Sequence, residues 1–394
     1  MSKEEKIKIF FIEKAYDNTV GGSHTCLYNL VSKLDMEKFI PCVGFYQNNS
    51  YVEKLVKLGV AVHLIGWKPV VCGNVLVRKM RNWYRLVYMH RKELGKIITR
   101  NEIDLVVLNN TIANCDDIVD VCRRMQVPVI AYERGYLEYS GSDIRLSERV
   151  QSAIAVSYAV KKNMESQKYR ANSRVIYDGI PLDGQNISLE MKSCDDIKLD
   201  IGIPHDSIVI GIIGNIREWK GQEYFVRAFM ALGEKYTNMY GIVVGGHGTE
   251  DMAYYDSVKA ISESSAVGGR IKFLGFREDA ANLLRIMDVF VHASIKPEPF
   301  GMVVLEAMYQ KVPVIATDFG GPVESLDGGR CGILVPPGDA SAISEGVEKY
   351  LNNPAFRNEM VERAHKRVVE VFNLRRTISQ VEDLFQESVA ASDK

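Results

Sequence analysis

Short apolar runs alternate with amphipathic stretches along most of this chain. The runs at 7–12, 41–45, 61–65, 104–108, 127–131, 153–156 and 174–177 are near-continuous, and most are rich in β-branched residues. That is the composition of parallel strands buried on both faces. A second series follows at 208–213, 241–244, 271–274, 288–292, 312–316 and 332–335. Helical periods lie between them: Leu27, Leu30, Val31 and Leu34 hold the i, i+3, i+4, i+7 spacing of one buried stripe. The alternation predicts right-handed βαβ units and doubly wound sheets, and two series predict two α/β domains. The polar, acidic stretch 179–204 (Ser193, Asp195, Asp196, Asp200) separates the series and places the junction near its start. Domain one is expected over 1–180, domain two over 181–370, and a helical tail over 371–394. From Pro354 to about Gln386, Met360, Ala364, Val368 and Phe372, then Ile378, Val381 and Leu384, keep a helical period and are expected to be core. The period does not say which domain the tail caps.

Composition narrows the function classes without choosing one. A chain of 394 residues with 46% apolar and 25% charged positions is neither disordered nor low-complexity. Lys plus Arg (49) nearly equals Asp plus Glu (50), so no global field favours nucleic acid. The seven cysteines form no CxxC pair, which argues against a zinc ribbon or a disulfide scaffold and for reduced thiols in a cytosolic protein. The start of the chain predicts no export signal, and no apolar stretch approaches about 18 residues.

In open parallel sheets ligands sit beyond the carboxyl ends of strands, so the loops after strands hold the candidate chemistry. The first, Thr19-Val20-Gly21-Gly22-Ser23-His24, opens a helix with a glycine pair. It is either a close-approach anion site or a plain strand–helix turn, and it is not the GxGxxG of nicotinamide binding. The second, Gly214-Asn215-Ile216-Arg217-Glu218-Trp219-Lys220-Gly221, projects two cations near a helix start. It reads as a phosphate loop or as a solvated charged turn.

The third segment, Val291 through Met308, is the most informative. A strand ends, Pro297 and Pro299 stiffen a loop carrying Glu298, and a helix starts near Gly301. The amides of Phe300, Gly301, Met302 and Val303 would cradle an anion, and Glu306 lies about one and a half turns into the helix. Carboxylates beside a diphosphate are repelled unless they have another task. Accepting hydrogen bonds from sugar hydroxyls on either side of the diphosphate is such a task.

These residues resemble the glycosyltransferase family 4 signature, the E-x7-E segment of retaining nucleotide-sugar transferases. Gly214 to Gly221 resembles the family's phosphate loop, and Gly245-Gly246-His247-Gly248 its G-x-G turn. Phe273-Leu274-Gly275-Phe276 is similar to the segment before its base pocket. Thr317 through Glu324 and Gly332 through Val335 are similar to its later signatures. The match is dense from 208 to 351 and loose from 7 to 179.

The resemblance implies the GT-B fold: two doubly wound Rossmann-like domains facing across a cleft, with a helical tail able to cross back and pack on the N-terminal domain. It implies a hexosyltransferase-type enzyme that moves a sugar from a UDP- or GDP-linked donor to a glycan or lipid-linked acceptor in envelope, capsular or exopolysaccharide synthesis. It further implies that Glu298 holds sugar hydroxyls, Glu306 the ribose and Lys220 the diphosphate. Phe300 to Val303 would present amides, Gly22 would approach the diphosphate, and Phe276 and Arg277 would border the base. Asn215 stands where the family's phosphate-loop arginine usually lies, so Arg217 is expected to supply that charge. Glu133 and Arg134 are either acceptor residues or a structural salt bridge. His292, at a strand end beside Ser294, either touches the donor or is a near-core histidine. No cofactor and no metal are expected, since Lys220, Arg217 and helix N-termini neutralise the leaving group. Epimerase, phosphorylase or a non-catalytic nucleotide-sugar-binding partner subunit are the alternatives on this architecture.

One pattern lies outside the signature. Between Trp67 and Arg100 stand nine basic residues (Lys68, Arg78, Lys79, Arg81, Arg85, Arg91, Lys92, Lys96 and Arg100) against the single acid Glu93, interleaved with Trp83, Tyr84 and Tyr88. Residues 75–100 are either a face for an anionic membrane, on a cytoplasmic, peripheral protein, or a solvated helix whose Leu76, Met80, Trp83 and Val87 pack on the first domain.

Overall fold

A computed structural model describes residues 5–14, 21–66, 71, 74–182 and 192–392, with backbone only for 83 and 85–87. Thr19 and Val20 of the first loop and Trp67 and Lys68 of the basic stretch lie outside the described residues.

The chain forms two units, one of Met1–Gly179 with Leu374–Lys394 and one of Ile180–Asn373. The first holds seven parallel strands: β1 (Ile7–Glu13), β2 (Phe39–Phe45), β3 (Ala61–Leu64), β4 (Leu105–Leu108), β5 (Val129–Glu133), β6 (Ser152–Ala155) and β7 (Ser173–Val175). Their order is β3-β2-β1-β4-β5-β6-β7. The second holds β8 (Ile208–Ile213), β9 (Met239–Val244), β10 (Ile271–Gly275), β11 (Val289–His292), β12 (Val314–Thr317) and β13 (Ile333–Val335), ordered β10-β9-β8-β11-β12-β13 and all parallel. Every strand expected from the apolar runs is present. Both sheets reverse direction beside their first strand, between β1 and β4 and between β8 and β11. These are the switch points at which doubly wound sheets bind ligands.

The central strands are apolar because helices cover both faces. Ile210, Val243, Val289 and Ile315 of the second sheet are fully buried with Phe225 and Phe229 of the helix Gln222–Lys235. In the first sheet Phe10, Phe11, Val106 and Ile130 are equally buried.

The tail departs from a single helical run. One helix, Pro354–Val371, belongs to the second unit, and another, Leu374–Ser392, belongs to the first. The chain is pinned between them: Ile180 N–H donates to Phe372 O at 2.9 Å, and Ile180 bridges Asn373. The boundary therefore falls after Asn373, not at 370. The expected core residues of both helices are buried, among them Val368, Phe372, Val381 and Leu384.

The basic stretch departs from the second of its two readings, a helix packed through Leu76 and Met80 on the first domain. It is a helix Val75–Tyr84, a π-helical turn Arg85–His90 and a helix Arg91–Arg100. Leu76 and Met80 are 77% and 65% exposed, so they form no core face. No described helix is long and apolar enough to cross a membrane.

Candidate functional site

The loops after β8 and β11 meet at the switch point of the second sheet. After β8, the chain turns through 214–217 into a short 3-10 turn, Glu218–Lys220, and enters the helix Gln222–Lys235. Gly221 sits between them at φ +69°, where a Cβ would lie 2.0 Å from Ala293 O. Only glycine lets this loop approach the end of β11 so closely. Ile295 N–H donates to Trp219 O at 2.8 Å and completes the junction. Lys220 is thereby aimed across β11, its ammonium 4.2 Å from the Trp219 ring centre and bonded to the Glu298 carboxylate.

Glu298 is fixed from the other side. Its backbone bridges Gly320, and its carbonyl accepts from Gly321 N–H at 2.8 Å. Gly320 has φ +75°, and a Cβ there would lie 2.4 Å from Glu298 O. The Glu298 carboxylate also takes His292 Nε2 and Ser294 Oγ, each at 3.3 Å. Burial alone would raise this carboxyl. The Lys220 ammonium and the His292 ring overcome that and hold it well below the usual carboxylate range.

The helix Met302–Tyr309 starts four residues later, with Gly301 as its N-cap. The amides of Gly301, Met302 and Val303 have no acceptor among the described residues, whereas Val304 N–H turns back to Gly301 O. This leaves an electropositive helix start open to an anion. The Phe300 ring is buried edge-on against Phe372 at 5.7 Å, so its backbone alone borders the site. Glu306, in the second turn, is half-buried, and its carboxyl has no partner among the described residues. Burial pushes it up to about 7.

The remaining candidates divide. Arg217 Nε lies 3.5 Å from Asp251 Oδ2. Asn215 is exposed, and its carbonyl accepts from Gln222 Nε2 at 3.0 Å. Phe276 is exposed at the end of β10, while Arg277 is clamped by both carboxylate oxygens of Asp279 at 2.6 Å. In the first unit, Gly22 opens the helix Gly22–Lys33 beyond β1.

Glu133 and Arg134 face inward. Glu133 is fully buried and accepts from Ile112 N–H, Tyr139 Oη and Tyr169 Oη. Arg134 pairs with Asp178, donates to Asn109 O at 2.9 Å and stacks on the Tyr132 ring. The two do not pair with each other; each ties strand ends together, and neither is presented as an acceptor residue. No cluster of metal-ligating side chains occurs among the described residues.

The sequence alone leaves His292 between donor contact and core and gives Ser294 no role of its own. The signal was their spacing: residues i and i+2 of an extended segment point the same way, here toward Glu298. His292 touches the carboxylate itself.

Residues 195–367 match the family model of glycosyl transferases group 1. The chain is 32% identical over 180 residues to the lipopolysaccharide core biosynthesis mannosyltransferase LpcC of Rhizobium leguminosarum, covering 46% of this chain and 51% of that protein. It is 25% identical over 243 residues to the capsular polysaccharide biosynthesis glycosyltransferase CapM of Staphylococcus aureus, covering 61% and 62%. The chain thus spans about half the length of the curated relatives it matches first. Among solved structures, Anabaena HepE in complex with UDP and glucose superposes with a TM-score of 0.83 over 97% of this chain and all of that one, at 21% identity. That likeness is one of fold, the paired Rossmann-like units of the GT-B class. These matches place the similarity to the group 1 glycosyl transferases in the unit that carries Lys220, Glu298 and Glu306.

Proposed function

We propose that this chain is a retaining, family 4 glycosyltransferase that moves a hexosyl group from a UDP- or GDP-linked sugar to a glycan or lipid-linked acceptor in envelope or capsular polysaccharide synthesis. One observation carries the reading. Three unbonded amides open the helix at Met302, between a glutamate gripped by a lysine and a glutamate with no partner. A nucleoside diphosphate sugar suits this set. Its diphosphate takes the Gly301–Val303 amides, Lys220 and Arg217; its ribose hydroxyls take Glu306; and its sugar hydroxyls take Glu298. Phe276 and Arg277 border the base, and Asn215 the phosphate loop. The names of LpcC and CapM and the ligands of HepE support the donor and acceptor classes.

The acceptor hydroxyl attacks the anomeric carbon on the face the diphosphate leaves. The bond from that carbon to the diphosphate oxygen breaks, and the departing phosphate takes the hydroxyl proton. Charge on the leaving group is met by fixed amides and Lys220, so the reaction runs without a metal. The protein works in the cytoplasm, and residues 75–100 meet the anionic inner face of the membrane.

A thermal-shift panel of UDP-, GDP- and ADP-sugars, followed by mass spectrometry of products with candidate acceptors, tests the reading. Glu306→Ala is expected to weaken nucleotide binding about tenfold. Glu298→Ala is expected to lower kcat by about a hundredfold with donor affinity little changed. Wild-type kinetics in both variants would refute the assignment.

A further inference from the structure

Glu298 is held by more than the E-x7-E spacing asks. Three donors converge on its Oε2: Lys220 Nζ, His292 Nε2 and Ser294 Oγ. Ser294 Oγ also lies 3.1 Å from His292 Nε2. His292 and Ser294 are 4% and 1% exposed; His292 ends β11 and Ser294 follows it two residues on. Oε1 takes no hydrogen bond among the described residues and stays available to a ligand.

The ring of His292 has a defined sense. Its Nδ1 is buried with no partner among the described residues. A proton there would be a buried donor without an acceptor, and Nε2 would turn a lone pair on a carboxylate. A proton on Nε2 avoids both costs. The ring therefore donates to Glu298.

Lys220 answers to two partners. It pairs with Glu298, and the proposed function also assigns it to the donor's diphosphate. When it moves to the phosphates, Glu298 loses its strongest tether as the sugar arrives. We propose that His292 and Ser294 are positioning residues that hold Glu298 Oε2 while Lys220 passes to the donor's diphosphate, so that Oε1 meets the sugar hydroxyls in one fixed orientation. This rests on the reading of Glu298 as the sugar-hydroxyl residue.

Two substitutions separate positioning from packing. His292→Phe keeps ring volume and removes the donor; His292→Gln restores an amide N–H near the Nε2 position. His292→Phe is expected to lose about ten- to a hundredfold in kcat, with donor KM within about threefold. Binding of the nucleoside diphosphate, which lacks the sugar, stays at the wild-type value in both variants. His292→Gln recovers kcat to within about fivefold of wild type. Nitrogen NMR of the ligand-free wild type, labelled at histidine, is expected to show one ring protonated at Nε2 and bare at Nδ1, whose signals vanish in His292→Gln. Should the Phe variant fail to fold, this spectrum and the Gln variant decide the matter. A proton on Nδ1, or a folded His292→Phe variant with wild-type kcat, overturns the inference while leaving the transferase reading intact. A wild-type protein that transfers sugar from no nucleotide donor overturns both.

Discussion

Glu306 and Glu298 share one helix start and sit in opposite electrostatic surroundings. Glu298 is surrounded by donors and stays charged; Glu306 is half-buried with nothing to pair with, and burial pushes it up to about 7 from an ordinary 4.5. An unpaired acid of this kind weakens the fold when charged. Between pH 4.5 and 7 the folded chain keeps the proton that the unfolded chain has lost, so stability falls as pH rises through that window and levels off above it. Glu306→Gln, which cannot charge, is expected to equal wild type near pH 4 and to exceed it by about 1–2 kcal/mol at pH 8, a figure discounted for partial exposure. Urea unfolding at the two pH values checks this, and equal midpoints at pH 8 would refute it. The spacing of Glu298 and Glu306 was plain in the sequence, because a loop bracketed by prolines followed by a helix start is a local pattern. The inward turn of Glu133 and Arg134 was not. It depends on Tyr139, Tyr169 and Asp178, which only the fold brings to them.

At the scale of elements, the strands were legible because burial on both faces demands continuous β-branched runs wherever a parallel strand lies. The break in the basic stretch was not, since the π-helical turn Arg85–His90 interrupts no periodicity a reader can count. Nor could periodicity say that the apolar side of Val75–Tyr84 is uncovered. Leu76 and Met80 stand out in solvent, near exposed Lys79, Arg81 and Tyr84. Tyr84 stacks on Tyr88 at 5.2 Å, and Lys92 lies over the Tyr88 ring. If this face meets an anionic bilayer, Leu76→Asp with Met80→Asp removes apolar burial worth roughly 1.5–3 kcal/mol per side chain. Sedimentation with phosphatidylserine vesicles is expected to show at least a tenfold loss of binding in the double variant, and weaker binding of wild type as salt rises. The melting temperature stays unchanged, because both side chains are already exposed. Wild-type protein that ignores such vesicles at low salt would end the idea.

At the scale of the whole chain, the two halves of the tail serve different units. Phe372 closes the second unit against Phe300, whereas Phe385, thirteen residues on, packs edge-on against Phe11 at 5.9 Å and Phe39 at 6.1 Å in the first. A helical stripe in the sequence fits any apolar surface, so it could not choose between them; the choice rests on the Ile180 bridge to Asn373, which redirects the chain. It follows that a cavity at Phe385 damages one unit selectively. Phe385→Ala is expected to cost about 3–5 kcal/mol, borne by the first sheet. Hydrogen exchange would report it as faster exchange of the β1, β2 and β4 amides, with β8 through β12 unaltered. Nucleotide affinity, which draws on Lys220, Glu306 and the Met302 helix, is expected to stay within about twofold of wild type. Equal acceleration in both sheets would mean instead that the helix Leu374–Ser392 supports the two units together, and that the donor site depends on a segment more than sixty residues beyond it.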